Sequence, residues 1–237
     1  MDTVSRLKER FYPNGYRSGT LAFYGWVNEY LSADTRLLNL GAGPPTNSLI
    51  RNLHGRVGYL AAADVDPVIM TNTEADQRLL IENGHIPAPD QDFDLVLSDF
   101  VLEHVEAPEQ FLLEVFRVLK QGGCFFFRTP NRLHYVAIIA RLLPHFTHGI
   151  ANRARRLAVD AHEPWPTYYR LNAVGEIRHA AHQAGFSKFE CRMFEAEPSY
   201  LVFNPATFML GVAYERLVNR FEFLSRCRAN IFGRLVK

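Results

Sequence analysis

Arg36-Leu37-Leu38-Asn39-Leu40-Gly41-Ala42-Gly43-Pro44-Pro45 is a short apolar run that ends abruptly at two glycines and two prolines. A run of this length, bounded by glycine and proline, is typical of a strand that is buried on both faces. Gly41 and Gly43 have no Cβ, so the backbone of the following turn can approach a ligand closely. The stretch predicts a strand that ends in either a ligand-binding turn or an ordinary one, and residues further along the chain must distinguish the two.

The composition indicates a globular α/β protein and limits its function. The chain has 237 residues, 48% of them hydrophobic, enough for one large domain or two small ones. Its formal net charge of +1 creates no global basic field that would attract nucleic acid. Cys124, Cys191 and Cys227 lie far apart, which argues against a disulfide framework and favours a reducing compartment. The charged segment 1–10 is unlike a signal peptide, so we expect a cytoplasmic protein.

A second apolar strand is predicted over 57–63, and it ends at Asp64-Val65-Asp66-Pro67. A carboxylate at the end of the strand after a glycine turn can accept hydrogen bonds from both hydroxyls of a ribose. An aspartate shortly before a proline is also a common helix cap. We assign Asp64 to the ribose and Asp66 to the cap of a helix that starts near Pro67.

Strands and helices continue to alternate through the first half of the chain. Helices are predicted over 46–53 and from Pro108 to the glycines at 122–123, and strands over 79–81, 93–99 and 124–131. This alternation predicts an α/β fold, a Rossmann-like, mostly parallel sheet with helices on both faces, which binds ligands at the carboxyl ends of its strands. The polar candidates at that edge are residues 39–43, 64, 82, 98–104 and 129–134.

Five segments of the chain also follow one another in the order known from one enzyme family. They are Leu38-Asn39-Leu40-Gly41-Ala42-Gly43, Ala63-Asp64-Val65-Asp66-Pro67, Phe93-Asp94-Leu95-Val96-Leu97-Ser98, Val101-Leu102-Glu103-His104-Val105 and Val118-Leu119-Lys120-Gln121-Gly122-Gly123. Over residues 37–131 the chain resembles the class I S-adenosylmethionine-dependent methyltransferases, in particular the type 11 small-molecule group. The resemblance implies an enzyme that moves a methyl group from S-adenosyl-L-methionine to a small-molecule acceptor.

The resemblance also implies a cofactor site built from these segments. Asn39 and the turn Gly41-Ala42-Gly43 would lie against the methionine part of the cofactor. Asp64, with Val65 beside it, would bind the ribose hydroxyls, and Glu82 and Asn83 would flank the adenine. Ser98 and Asp99 would lie beside the methionine amino group.

Two residues depart from the family pattern. Asn39 stands where an acidic residue is usual, so it offers no charge to the cofactor's ammonium group, and Pro45 stands where a third glycine is frequent. Both changes favour weaker or altered cofactor binding, and they support an alternative, a non-catalytic protein of the same fold that acts as a membrane-associated partner. A nicotinamide-dependent oxidoreductase ranks lower, because the motif Gly-x-Gly-x-x-Gly would require glycine at Thr46.

Three residues are candidates for a catalytic base. Methyl transfer needs an aligned nucleophile, and a base that removes its proton is helpful without being obligatory. His104 is the first candidate, since histidine titrates near neutrality and the resemblance places it near the transferred methyl group. His134 and Tyr169 are alternatives, and each of the three could instead be structural. No closely spaced cluster of histidines and carboxylates indicates a metal site.

The pattern predicts three parts along the chain. Residues 1–35 form an N-terminal helical lid or cap, residues 36–205 the cofactor-binding domain with an acceptor-pocket insertion at about 132–171, and residues 206–237 a basic amphipathic helix. Strands over 188–194 and 199–203 would complete a seven-stranded sheet whose last strand is antiparallel.

The second half gives the only indications of an acceptor or partner. An apolar helix from Leu133 and the basic residues Arg153, Arg155 and Arg156 favour an acceptor with an apolar and an anionic part, such as a saccharide or lipid-linked saccharide. A packed helix followed by a solvated charged face explains the same residues. The basic tail allows peripheral contact with the inner membrane face, although core packing explains its apolar stripe more simply. The sequence does not indicate the oligomeric state.

Overall fold

The computed structural model describes residues 3–142 and 165–237. Seven strands among these residues form one sheet. Their bounds are β1 Arg36–Leu40, β2 Tyr59–Asp64, β3 Gln77–Leu80, β4 Phe93–Asp99, β5 Leu119–Pro130, β6 Lys188–Phe194 and β7 Asn230–Val236. The spatial order is β3-β2-β1-β4-β5-β7-β6, so the chain reverses direction across the sheet after β3.

The first five strands are parallel, and β7 is antiparallel to both of its neighbours. Parallel pairing joins β1 to β2 and β4, β2 to β3, and β4 to β5. At the other edge, the Gly122 amide donates to the Lys237 carbonyl at 3.2 Å, and the Ser187 amide donates to the Val236 carbonyl at 2.8 Å. The end of β7 therefore lies beside the starts of both β5 and β6. The predicted mostly parallel sheet with an antiparallel last strand is confirmed.

The described helices are α1 Thr3–Phe11, α2 Gly19–Asn28, α3 Pro108–Val118, α4 Tyr135–Leu142, α5 Val174–Gln183 and α6 Pro205–Arg220. Shorter three-ten turns cover Pro13–Gly15, Pro67–Thr71, Leu102–His104 and Glu222–Cys227. Pro108 begins α3, as predicted, because proline fits the first helical turn, where no amide partner is needed.

The helix predicted over 46–53 is absent. The amides of Thr46 and Asn47 donate to the carboxylate of Glu74, and Asn47 has a left-handed backbone with φ +52°. A helix over 46–53 would require a negative φ at Asn47, so this left-handed residue interrupts it in its first turn. This segment consists of turns instead.

The predicted C-terminal end of the chain also needs correction. Residues 199–203 are not a strand, and the basic helix predicted over 206–237 ends at Arg220. The last strand of the sheet is β7, in which Ile231, Phe232 and Leu235 are buried. The apolar stripe at helical spacing predicts one helix to the end of the chain, but the apolar residues from Ile231 on enter the sheet instead.

The chain divides into two units that do not follow sequence order. The sheet unit comprises Thr20–Pro130, Tyr168–Arg192 and Ile231–Lys237, and the second unit comprises Met1–Gly19, Asn131–Thr167 and Met193–Asn230. The division into a cap, a cofactor domain and a tail stays a prediction. Much of the predicted acceptor insertion, including Arg153, Arg155 and Arg156, lies outside the described residues.

Candidate functional site

The turn after β1 has a backbone conformation that requires glycine at its first position. Gly41 has φ +76°, and a Cβ added there would lie 2.2 Å from the Cγ2 atom of Val101. The amides of Gly41 and Ala42 both donate to the carbonyl of Ala63, at 2.7 and 3.2 Å. The turn is therefore fastened to the end of β2 and packed closely against the segment that follows β4.

Gly43 is braced from both sides by polar side chains. Its amide donates to Oδ2 of Asp64 at 2.9 Å, and its carbonyl accepts a hydrogen bond from Nδ2 of Asn72 at 2.9 Å. Gly43 has φ +56°, and no atom lies within 4 Å of the position that a Cβ would occupy. The turn is rigid but leaves open space beside Gly43, as a backbone that cradles a ligand requires.

The two neighbouring aspartates make different contacts, and the capping role predicted for Asp66 is confirmed. Asp66 caps the Pro67–Thr71 turn, because its Oδ1 accepts a hydrogen bond from the Val68 amide at 2.9 Å. Asp64 accepts one backbone hydrogen bond on each carboxylate oxygen, from Gly43 and, at 3.0 Å, from Asp66. A carboxylate has about four acceptor positions, so Asp64 retains capacity for ribose hydroxyls.

Glu74 was not identified from the sequence, yet it holds the segment that follows the glycine turn. Its carboxylate accepts hydrogen bonds from the amide and hydroxyl of Thr46, at 2.9 and 3.0 Å, and from the Asn47 amide at 2.8 Å. The Glu74 amide in turn donates to Oδ1 of Asn72 at 2.8 Å. These partners are separated by 27 or 28 residues, so no local pattern could have indicated them.

A buried ion pair lies at the end of β4. The guanidinium of Arg128 donates to both carboxylate oxygens of Asp99, at 2.6 and 2.7 Å, and the Arg128 side chain is only 3% exposed. The Nε atom of Arg51 lies 3.7 Å from the same carboxylate, and the hydroxyl of Tyr24 hydrogen-bonds it. Burial raises the pKa of Tyr24, so its hydroxyl stays protonated. Of these residues the sequence indicated only Asp99.

Ser98 precedes this ion pair. It is fully buried, and within residues 3–142 and 165–237 its hydroxyl has no hydrogen-bond partner. A buried hydroxyl without a partner normally signals a missing ligand or water. This observation fits a cofactor that contributes a polar group at the end of β4.

A pocket on the sheet unit brings several of these residues together. It includes four of the residues predicted to bind the cofactor, namely Asn39, Gly41, Ala42 and Asp99. The other residues that line it are Tyr24, Thr46, Arg51, Asn52, Leu53, Leu60, Ala62, Asn72 and Glu74. The pocket therefore combines the ends of β1 and β4 with the turns that replace the predicted helix over 46–53.

Val65, Glu82 and Asn83 lie at the surface rather than in the lining of this pocket. Val65 is 52% exposed. Glu82 bridges to His85 across a tight turn in which Asn83 and Gly84 both have positive φ, 51° and 75°. An Asn-Gly pair adopts this turn readily, and the turn projects from the end of β3 beside the end of β2.

His104 and Tyr169 belong to segments that are fastened together. His104 ends the three-ten turn that follows β4, and its amide donates to the Val101 carbonyl at 2.8 Å. The carbonyl of Glu103 accepts hydrogen bonds from the amides of Tyr168 and Tyr169, at 2.8 and 3.2 Å. Tyr169 has φ +53°, a conformation that aromatic residues rarely adopt and that often marks a functional site.

A buried polar network supports that connection. The hydroxyl of Thr129 donates to a carboxylate oxygen of Glu103 at 3.2 Å and accepts a hydrogen bond from Nδ2 of Asn172 at 2.7 Å. Burial raises the pKa of the Glu103 carboxyl. The sequence places Glu103 and Thr129 among the polar candidates at this edge but does not indicate Asn172 or the contacts between the three, because these partners are distant along the chain.

His134 belongs to the second unit and has the surroundings of a structural histidine. It is buried, and its Nε2 atom lies 3.4 Å from Oε1 of the buried Glu195. The other oxygen of Glu195 accepts a hydrogen bond from the Ala229 amide at 2.6 Å. The rings of Tyr135 and Tyr214 pack against His134 at centroid distances of 4.3 and 5.8 Å.

Three basic side chains of the C-terminal segment, those of Arg228, Arg234 and Lys237, contact the protein. The Arg228 guanidinium donates to the carbonyl oxygens of Val218 and Met193 and to Glu222. Arg234 pairs with Glu190 at 3.4 Å, and the Lys237 amine donates to the carbonyl oxygens of Phe116 and Leu119. These contacts do not support a basic membrane-binding helix. Within the described ranges, no helix combines the length and the apolar character that crossing a bilayer would require.

Comparison with known proteins places this geometry in a wider context. A family model described as a methyltransferase domain matches residues 38–127. A Mycolicibacterium smegmatis protein named Probable S-adenosylmethionine-dependent methyltransferase is 41% identical over 61 residues, 24% of either chain. The mitochondrial ubiquinone biosynthesis O-methyltransferase of Dictyostelium discoideum is 38% identical over 76 residues, 29% of this chain and 24% of that protein. The chain thus matches about a quarter of the length of each curated relative.

Solved structures extend the likeness to the whole fold. The structure of a SAM-dependent methyltransferase from Thermotoga maritima aligns with a TM-score of 0.59 over 98% of this chain and 95% of that one, at 14% identity. At such low identity the alignment concerns the fold alone.

Proposed function

We propose that this chain, which carries a methyltransferase domain of the class I S-adenosylmethionine-dependent family, transfers a methyl group from S-adenosyl-L-methionine to a small-molecule acceptor. The observation that carries the proposal is the braced glycine turn. Gly41 can be replaced by no larger residue without a clash, and Gly43 leaves open space beside a turn that Asp64 and Asn72 hold in place.

The cofactor residues suggested by the resemblance have consistent positions along the sheet. Asp64 at the end of β2 would bind the ribose, and the surface turn at Glu82 and Asn83 would flank the adenine. Asn39, Ala42 and Asp99 in the pocket would hold the methionine part. Because β2, β1 and β4 are adjacent in that order, a cofactor that runs from ribose to methionine would cross the end of β1.

The protein's contribution to the reaction would be alignment and proton removal. Bound S-adenosylmethionine supplies a methyl group on a sulfonium, which a nucleophile displaces in line. His104 would accept the proton of the acceptor, and Tyr169, whose backbone is bonded beside it, would help to orient the acceptor. His134 remains the alternative base, although its burial against Glu195 favours a structural role.

The proposal is tested first by titration calorimetry. We expect the protein to bind S-adenosylmethionine and S-adenosylhomocysteine but not NADH. Asp64→Ala should weaken this binding by about 10- to 100-fold, the size of a lost hydrogen bond to a charged group. Asp66→Ala is the matched control, because it removes a neighbouring carboxylate that only caps a turn, and it should change the affinity by less than about threefold.

Transfer of a labelled methyl group to saccharide, lipid-linked and amine acceptors then tests catalysis. Binding of S-adenosylmethionine without transfer to any acceptor would favour the non-catalytic alternative. Failure of the wild type to bind it at all would overturn the proposal. A saccharide acceptor, a cytoplasmic location and peripheral membrane contact stay predictions, and the arginines that suggested such an acceptor lie outside the described residues.

A further inference from the structure

Asn39 is uncharged, but charged side chains lie at the end of β4 in the same pocket. Asn39 lines the pocket without a charge, while Asp99 is the carboxylate at that end. Two guanidinium groups, those of Arg128 and Arg51, face this one carboxylate. The group of three therefore carries one net positive charge.

The two arginines are not equivalent. Arg128 is 3% exposed and holds Asp99 through two short hydrogen bonds, so its charge is already neutralised. Arg51 is 40% exposed, lies 3.7 Å from Asp99 and lines the pocket. At that distance Arg51 makes no direct hydrogen bond to Asp99, and its guanidinium is available to an anionic ligand.

The other carboxylate of the pocket forms no ion pair with Arg51 within the described residues. Glu74 accepts three hydrogen bonds from Thr46 and Asn47, which hold it against the backbone of the turn. Tyr24, by contrast, places a hydroxyl beside Asp99 in the same lining as Arg51. The end of the pocket at β4 thus presents a cation, a hydroxyl and a carboxylate.

The methionine part of S-adenosylmethionine carries both an ammonium and a carboxylate. The cation, the hydroxyl and the carboxylate at this end of the pocket are complementary to these two groups. We propose that Arg51 binds the cofactor's carboxylate and that Asp99 accepts a hydrogen bond from its ammonium. Asp99 would thus take the role of the acidic residue that the family usually has at the position of Asn39. The inference rests on the proposed function, which requires a bound S-adenosylmethionine. It adds that this chain selects its cofactor mainly through the carboxylate, by a residue in the turns that replace a helix.

Two ligands that differ in one group make the test. Decarboxylated S-adenosylmethionine keeps the ammonium and lacks only the carboxylate, so the ratio of its Kd to that of S-adenosylmethionine isolates the carboxylate contact. We expect the wild type to prefer S-adenosylmethionine by about 10- to 100-fold, as for a charge-assisted hydrogen bond. In Arg51→Gln this ratio should fall to about 1–3, with little change in the affinity for the decarboxylated ligand.

Two further variants guard against a folding artefact. Arg51→Lys keeps the charge and should retain part of the preference, about 3- to 10-fold. Arg56→Gln makes the same substitution in the same run of turns, at an exposed residue that bonds Asn28 and lies outside the pocket lining. It should leave both affinities unchanged.

The outcomes separate the two proposals. If the wild type binds S-adenosylmethionine but Arg51→Gln keeps the full preference, or weakens both ligands equally, the role of Arg51 is overturned and the proposed function stands. If the wild type binds neither ligand, the proposed function fails and the inference fails with it.

Discussion

The two units differ in how much of their described interior is apolar. In the sheet unit, Phe125, Phe126 and Phe127 of β5 are fully buried, and apolar strands fill the interior on both faces. The second unit has a small apolar cluster of Tyr12, Phe208 and Val212, and it buries charged residues beside it. Glu215 is fully buried there, and it accepts hydrogen bonds from Tyr12 at 3.0 Å and Asn219 at 2.6 Å.

Because of this difference, local sequence patterns predict the sheet unit better than the second unit. Apolar strands and amphipathic helices are visible within windows of ten or so residues. The hydrogen bond from Tyr12 to Glu215 joins residues 203 positions apart, and no local pattern indicates it. We therefore expect substitutions in the glycine turn of the sheet unit to act through packing and backbone conformation, and a substitution of Glu215 in the second unit to act through buried charge.

The largest effect is expected for Gly41→Ala in the sheet unit. The added methyl would clash with Val101 and force a non-glycine residue to φ +76°, which together should cost about 2–5 kcal/mol of unfolding free energy. Gly43→Ala shares the positive φ but meets open space, so it should cost about 1–2 kcal/mol. Urea denaturation followed by circular dichroism measures both. Equal losses would mean that the contact with Val101 contributes nothing.

Glu215→Gln tests the role of buried charge in the second unit. Besides its hydrogen bonds, Glu215 has Arg17 and Arg216 each at 3.3 Å, so removal of its charge should cost about 2–3 kcal/mol. Glu222→Gln makes the same change in an ion pair whose carboxylate is 84% exposed, and it should cost less than about 0.5 kcal/mol. Similar losses for both variants, again in urea, would contradict the importance of burial.

Asn204→Ala measures how far a local signal matters in the second unit. Asn204 caps α6, since its Oδ1 accepts a hydrogen bond from the Thr207 amide at 3.0 Å and the Thr207 hydroxyl bonds back to the Asn204 amide. Loss of the cap should cost about 1 kcal/mol, and Asn204→Asp should retain the stability. If Asn204→Ala has no effect on thermal or urea unfolding, the cap contributes nothing, and only contacts with residues distant in sequence stabilise α6.

The smallest effect, and the one with a pH signature, is expected for Glu103→Gln. Burial raises the pKa of Glu103 above its ordinary value of 4.5, so the wild type is most stable with respect to this group below pH 4.5 and loses stability as the pH rises through the folded-state pKa. Glutamine stays neutral and escapes that loss.

We therefore expect the variant to match the wild type at low pH and to gain on the order of 0.5–1 kcal/mol relative to it towards neutral pH. Urea titrations at a series of pH values measure the difference. A difference that is constant with pH, or that grows as the pH falls, would refute a raised pKa.

The sequence predicted more of the fold than of the site. The glycine turn, the mostly parallel sheet and the cap at Asp66 followed from local patterns and motif order, and the structure confirms them. The helix predicted over 46–53 and the tail helix predicted beyond Arg220 were wrong, the first because Asn47 has a left-handed backbone and the second because residues 230–236 form a strand of the sheet. The second segment pairs with β5 and β6, which are distant in sequence, so no local pattern predicts it.

The sequence by itself determined the parallel sheet, its glycine turn and the carboxylate that follows β2, since each depends on residues close together in the chain. Only the tertiary structure decided which side chains complete the pocket. Tyr24, Arg51 and Arg128 reach Asp99 from three separate segments, and the network of Glu103, Thr129 and Asn172 forms in the same way. Charge and hydrogen bonding act through space, and folding alone brings such residues within a few ångströms of one another.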